Sequence, residues 1–376
     1  MAKTVVFFDT EIGVDDKKVH DIGAVRSSDN ASLHSASMRD FKSFIEDAEF
    51  VCGHNIVNHD LKYIGPLVDG IGDKGSIDTL YLSPLVFPRR PYHALLKDDK
   101  LQVEELNNPL NDSQKAMDLF YDEVNAFNSL SAEMQQILCC LLYRFPEFQG
   151  FFKYIDFLPR TSNVIGLIKE EFKGKLCENA DIEPLIKQYP IELAYALTWI
   201  GIDDYQSLTP PWLLKNFPKI ENVIKYLRGT PCSDKCAFCR EAFDVHKGLK
   251  RIFGFDTFRK YNGEPLQEKA AEAAVYGKSV LAVFPTGGGK SITFQLPALM
   301  AGNAFAGLTV VISPLQSLMK DQVDNLTDAG ICGAVTINGL LSPVERASAI
   351  EQVMNGTATL LYISPESLRS KTIEKM

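Results

Sequence analysis

Val280-Leu281-Ala282-Val283-Phe284-Pro285-Thr286-Gly287-Gly288-Gly289-Lys290-Ser291, followed by the run Ile292 to Met300, is the stretch that decides how the C-terminal third is read. Its first five residues are apolar and rich in strand formers, as a buried strand requires. Three glycines then let backbone N–H groups curl around a phosphate, and the start of the next helix adds its positive end. Lys290 would reach the outer phosphates and Ser291 would ligate magnesium. Strand, glycine-rich loop, Lys-Ser and helix predict a phosphate-loop α/β lobe. The full spacing of such loops begins with glycine at position 284, where this chain has Phe284.

Upstream of the loop stand Leu249-Lys250-Arg251-Ile252-Phe253-Gly254-Phe255-Asp256-Thr257-Phe258-Arg259 and Gln267. Downstream stand Val310-Val311-Ile312-Ser313-Pro314-Leu315-Gln316 and Leu361-Tyr362-Ile363-Ser364-Pro365-Glu366. Over about residues 249–376 the chain resembles the first half of the motor of a RecQ-type DNA helicase of superfamily two. The resemblance implies a RecA-like lobe that binds ATP with Mg2+ through Thr286, Gly287, Gly288, Gly289, Lys290 and Ser291. It places Phe255, Arg259 and Gln267 at the adenine end. It sends the segments around Pro314-Leu315 and Pro365-Glu366 along a DNA strand, through contacts to phosphates. In that family the arginine and glutamine stand closer together than Arg259 and Gln267 do, so Tyr261 to Leu266 reads as an insertion. The insertion weakens the assignment of Arg259 more than that of Gln267. The family's Asp-Glu-Ala-His box and second lobe do not occur in these residues, and hydrolysis needs the groups they carry. The expectation is a partial lobe that binds nucleotide without unwinding DNA alone, the rest of the motor being missing from this chain.

The N-terminal third opens on another buried-strand run, Val5 to Phe8, which ends in Asp9-Thr10-Glu11. Strand residues two apart share a face, so both carboxylates project together. Such a pair is costly at a buried strand end unless it is paired or holds a cation. Gly53-His54-Asn55 with Asp60 comes next, then Asp78, then His93, then Asp112 at the start of a helical stretch, Gln114 to Phe127. This order resembles the DnaQ-like (DEDDh) 3′-5′ exonucleases over about residues 1–126. The resemblance implies that Asp9, Glu11, Asp60 and Asp112 hold two Mg2+ or Mn2+ ions and that His93 is the general base. Such cations clamp the attacking and leaving oxygens of a phosphodiester. The family's usual interval after its histidine would select Asp98. Asp112 is favoured because a long helix follows it, leaving 94–111 as an inserted loop. Asp78 reads as structural, and His54 and His59 as packing or hydrogen-bonding residues.

Charge follows the same division. Residues 1–126 hold 13 Lys+Arg and 22 Asp+Glu, so the whole net charge of -9 lies in this third and the remainder is close to neutral. That excludes a uniformly basic nucleic-acid coat. A hydrophobic content of 45% with 23% charged residues excludes wholesale disorder. No run of 18 apolar residues is present and the N-terminal run is too short for a signal peptide, so a cytoplasmic protein without membrane contact is expected, nucleoid-associated if bacterial.

Residues 127–230 show helical periodicity broken by Pro146, Pro159, Pro190, Pro210-Pro211 and Pro218. Ser131 caps one helix, Ile191 to Ile200 reads as a buried one, and Cys139-Cys140 read as core. Within 231–248, Cys232, Cys236 and Cys239 are followed by His246. Three clustered thiols and an imidazole in a reducing compartment suit structural Zn2+, with His246 the nearest fourth ligand. The spacing also resembles the radical-SAM iron–sulfur motif, which the helical context disfavours.

The expected architecture is therefore α/β: an RNase H-like exonuclease domain (1–126), a helical linker region (127–230), a Cys-rich metal-binding junction (231–248) and a partial RecA-like helicase lobe (249–376). The expected function is a DNA-processing exonuclease–helicase acting on single strands or 3′ ends with ATP. Two rivals are a catalytically idle nucleic-acid docking module and an RNA 3′-exonuclease.

Overall fold

β1 (Val5–Ile12) is the centre of the first sheet, and the side chains of Val5, Val6, Phe7 and Phe8 are wholly buried. The computed structural model describes residues 3–13, 15–90, 93, 95, 108–202, 211–232, 236–285, 287–354, 356–370 and 373. Contacts divide the chain into two units, Met1–Glu171 and Phe172–Met376.

In the first unit β1 pairs antiparallel with β2 (Val19–Arg26), which pairs antiparallel with β3 (Ser32–Ser35). Helix α1 (Met38–Phe44), capped by Ser37, returns the chain to β4 (Phe50–Gly53), parallel to β1 on its other side. Helix α2 (Asp60–Ile64) leads to β5 (Gly75–Asp78), parallel to β4. The sheet order is β3-β2-β1-β4-β5. Helix α3 (Thr79–Val86) starts at Asp78, whose carboxylate accepts from the N–H groups of Leu80, Asn55 and Val57 at 2.8–3.0 Å. That carboxylate ties the loop after β4 to the start of α3.

Alternation along β1 sends Phe8 toward Phe41 of α1, with ring centroids 5.3 Å apart. It sends Phe7 to the other face, 5.6 Å from Phe120 of α4 (Pro109–Asn128). Asp9 and Glu11 continue the Phe7 face and so lie on the side that α4 covers. The sequence placed the start of this helix near Asp112; it starts earlier, with Asn108 as its cap and Pro109 in its first turn. Asp112 is thus inside the first turns. Of the expected insertion 94–111, residues 94 and 96–107 lie outside the described residues, as does Asp98. Helices α5 (Ala132–Leu142), α6 (Pro146–Tyr154) and α7 (Val164–Glu171) complete the unit.

The second unit begins with helices α8 (Glu183–Gln188), α9 (Pro190–Gly201), α10 (Pro211–Asn216) and α11 (Ile220–Arg228), with α9 almost wholly buried. The short α12 (Ala237–Ala242) and the amphipathic α13 (Val245–Phe253) follow. Next come α14 (Leu266–Val275) and α15 (Ile292–Phe305). β6 (Thr309–Ile312), α16 (Gln316–Asp328), β7 (Ala334–Ile337), α17 (Pro343–Met354) and β8 (Leu360–Ile363) build a parallel sheet of order β6-β8-β7. One sequence expectation needs correcting here. Val280 to Phe284 is not a strand: no described strand pairs with it, and Leu281 and Val283 are 92% and 80% exposed. An apolar run predicts burial, but a strand needs a neighbour to take its backbone hydrogen bonds.

The seat of α4 depends on Gly23 of β2, which pairs with Asp9. A Cβ added at Gly23 would lie 2.0 Å from the backbone nitrogen of Leu110. Gly23→Ala is expected to destabilise the first unit by about 1–3 kcal/mol through overpacking, read as a lower denaturant midpoint; a midpoint equal to wild type would contradict this close packing.

Candidate functional site

Three groups of chemistry-bearing side chains stand out. The first is acidic. Asp9 and Glu11 come from β1, Asp60 from the first residue of α2 and Asp112 from α4. Thr10 fixes Asp60: its N–H and hydroxyl both donate to Oδ1, at 2.9 and 2.5 Å, and Asp60 is 1% exposed. Burial pushes the Asp9 carboxyl up to about 8, and the nearby charges of Asp60, Asp112 and Glu11 push the same way. Burial together with like charges nearby favours a proton or a cation at Asp9. Oxygen donors of this kind suit a hard divalent ion.

The histidine whose charge acts on Asp9 is His59, not His93. His59 Nδ1 lies 3.5 Å from Asp60 Oδ2, and its hydrogen bond to Asp60 raises its pKa. His93 is buried, with Nδ1 2.8 Å from Ser83 Oγ, and burial together with the Arg90 charge holds its pKa down to about 4. His93 is therefore neutral at pH 7. His54 Nδ1 lies 2.9 Å from Thr79 Oγ1.

The second group is a cage of thiols. Cys177, Cys232, Cys236 and Cys239 bring their sulfurs within 4.8 Å of one another. Among the described residues no other group of three or more potential ligands is this tight, the carboxylates included. Successive N–H groups point at the sulfurs: Cys236 N to Cys232 Sγ at 3.4 Å, Cys239 N to Cys236 Sγ at 3.5 Å, and Cys232 N to Cys239 Sγ at 3.5 Å. The first of these lowers the Cys232 thiol to about 7, while burial pushes Cys177 and Cys239 up. Four sulfurs with N–H support are the donor set of a closed tetrahedral zinc site. His246, the expected fourth ligand, is not in the cage; its Nε2 lies 2.8 Å from Glu268 Oε1. Cys177, set apart in the sequence, takes that place. Its signal was weak, since a lone cysteine among helices carries no ligand spacing.

The third group is the glycine-rich loop. Gly287 and Gly289 both have positive φ, +73° and +65°, which only glycine adopts without strain. Three side chains hold successive carbonyls. Arg259 Nη1 donates to Gly287 O at 3.2 Å, the Tyr261 hydroxyl to Gly288 O, and Gln267 Nε2 to Gly289 O at 2.8 Å. Gln267 is 5% exposed, and its Oε1 accepts from the Arg259 N–H at 2.9 Å. Lys290 Nζ rests 3.3 Å from Phe284 O, and Ser291 precedes α15. Thr286 lies outside the described residues. Phe255 is 55% exposed and its ring stacks on Phe253. Ser313-Pro314 and Ser364-Pro365 follow the C-terminal ends of the adjacent parallel strands β6 and β8, where open α/β sheets bind ligands.

Two measurements check these geometries. An unfolded aspartate is ionised above about pH 4, whereas folded Asp9 keeps its proton to about pH 8. In that window the native state binds more protons than the unfolded state, so this group makes stability fall as pH rises. In EDTA, the denaturant midpoint of Asp9→Asn is expected to exceed that of wild type by a margin that widens from pH 5 to pH 8; equal midpoints at pH 8 would refute the burial of this charge. For the thiol cage, metal analysis of the purified chain is expected to give one zinc per chain, lost in Cys177→Ser and retained in His246→Ala. Zinc retained by Cys177→Ser and lost by His246→Ala would reverse the ligand assignment.

Comparison with known proteins finds similarity in the C-terminal region. Residues 264–376 match the family model of the DEAD/DEAH box helicases. The chain is 44% identical over 127 residues to the ATP-dependent DNA helicase RecQ of Pasteurella multocida, which covers 34% of this chain and 18% of that protein. It is 40% identical over 129 residues to the RecQ of Synechocystis, covering 34% of this chain and 25% of that protein. It is 40% identical over 133 residues to ATP-dependent DNA helicase Q5 of the mouse, covering 35% and 13%. The chain thus spans a quarter or less of the length of these relatives. No helix among the described residues is long and apolar enough to cross a membrane. The mixed α/β region from α14 to β8 forms a RecA-like lobe that over its matched residues is similar to DEAD/DEAH box and RecQ helicases, preceded by a thiol cage that could hold a metal.

Proposed function

We propose that this chain is part of an ATP-using DNA-processing protein, with a nucleotide-binding RecQ-type lobe in its second unit and a metal-dependent 3′-5′ exonuclease in its first. The observation that carries the motor reading is the glycine-rich loop within a region matched by DEAD/DEAH box helicases. Lys290 would neutralise the outer phosphates and Ser291 would ligate their magnesium. Arg259 and Gln267, already on the loop's carbonyls, would receive the base side of the nucleotide. The segments after β6 and β8 would meet DNA phosphates at the same sheet end.

The nuclease reading rests on the approach of Glu11, Asp60 and Asp112 to Asp9 near the end of β1. The sheet order β3-β2-β1-β4-β5, with β2 antiparallel to its neighbours, is the one expected of an RNase H-like domain and supports it. The four carboxylates would hold two Mg2+ or Mn2+ ions, which when bound supply charge neutralisation and activation of water. Thr10 orients Asp60 for that task. His59, beside Asp60, is better placed than His93 to meet a substrate phosphate.

Wild type with Mn2+ is expected to shorten a 5′-labelled DNA single strand from its 3′ end. Asp9→Ala is expected to reduce that rate at least a hundredfold, while Lys290→Ala leaves it unchanged and abolishes ATP binding. Equal shortening by Asp9→Ala would remove the nuclease assignment. A faster rate on RNA of matched sequence would move it to RNA.

A further inference from the structure

The segment between Arg259 and Gln267 is a tight hairpin. Tyr261 and Glu264 exchange both backbone hydrogen bonds at 2.9 Å. The two residues between them, Asn262 and Gly263, have φ of +51° and +85°. Asn-Gly with both φ values positive is a type I′ turn, the tightest way to reverse a strand. The extra residues thus fold into a device with one aromatic side chain at its base.

That side chain, Tyr261, makes two contacts. Its ring lies 5.0 Å from the ring of Phe284, the residue that replaces the first glycine of the phosphate-loop spacing. Its hydroxyl donates to Gly288 O. The two departures from the pattern therefore pack against each other.

The contact bears on phosphate binding through peptide geometry. In a trans peptide the C=O and the next N–H point in opposite directions. A donor holding Gly288 O therefore turns the Gly289 N–H to the far side, and Gln267 on Gly289 O does the same for the Lys290 N–H. Among the described residues no hydrogen-bond acceptor takes the N–H groups of Gly289, Lys290 or Ser291. Three successive N–H groups with no acceptor among the described residues, at the start of α15, are what an anion-binding nest needs.

We infer that Tyr261 is a positioning residue for nucleotide binding, acting through the Gly288–Gly289 peptide to hold the loop's N–H groups toward the phosphates. This rests on the nucleotide-binding reading of the loop. Arg259 and Gln267 alone would leave the middle peptide of the loop free to rotate. The inserted hairpin supplies the missing hold.

Titration of the whole chain with a fluorescent ADP analogue in Mg2+ tests this, on wild type, Tyr261→Phe and Lys290→Ala, with melting temperatures alongside. Phenylalanine keeps the ring on Phe284 and removes one hydrogen bond. Affinity is expected to fall about three- to tenfold, the range for one net hydrogen bond, with no change in melting temperature. Should Tyr261→Phe lower the melting temperature, Gly263→Ala, which strains the turn at its positive φ, is expected to weaken binding in the same way. Wild-type or tighter affinity in Tyr261→Phe, with Lys290→Ala defective, overturns the role of Tyr261 alone. No binding by wild type, or equal binding by Lys290→Ala, overturns the nucleotide reading and this inference with it.

Discussion

The close approach of α4 to β2 at Gly23 governs what the first unit can do. Helix backbone rests directly on strand backbone there, opposite Asp9, because position 23 carries no side chain. The approach draws the first turns of α4 over the face of β1 that bears Asp9 and Glu11. Asp112 is carried with them. The same packing that buries Phe7 against Phe120 therefore gathers negative charge. Dense packing and like-charge crowding oppose each other at one place, and the raised proton affinity of Asp9 records that opposition.

The second unit resolves comparable tensions by hydrogen bonding. In the glycine-rich loop, carbonyls are held from one side so that N–H groups stay available on the other. In the thiol cage, main-chain N–H groups point at sulfur, and the one on the Cys232 sulfur lowers that thiol's pKa. Cys177, whose own N–H bonds to Leu227 O at 3.0 Å, ties the end of α11 to the same cage. A metal there would cross-link segments far apart in sequence and so stabilise a region made of short helices.

Much of this was legible in the sequence where one pattern carried several demands at once. Val5 to Glu11 reads as a buried strand ending in paired acids, and the structure brings those acids together with Asp60 and Asp112. α4 starts ahead of Asp112 because the Asn108 side chain caps it and Pro109 occupies its first turn. Cys177 was invisible because a ligand contributed from a distant loop, between α7 and α8, has no local spacing. Val280 to Phe284 misled because composition reports hydrophobicity and says nothing of whether a neighbouring strand is available. His59 reads as a packing or hydrogen-bonding residue and does bond Asp60; Tyr261 gave no signal because an insertion has no pattern to be read against.

The exposed run at 280–283 has a consequence for handling the protein. Val280, Leu281 and Val283 are exposed without strand partners among the described residues, and Val310 and Ile312 of β6, an edge strand of the described sheet, are about half exposed. Apolar, β-prone backbone with free hydrogen-bonding groups is where one chain adds to the sheet of another. Concentrated solutions of this chain are accordingly prone to sheet-driven aggregation. A single charged residue on that run would act as a gatekeeper without touching the glycine-rich loop or the acidic cluster.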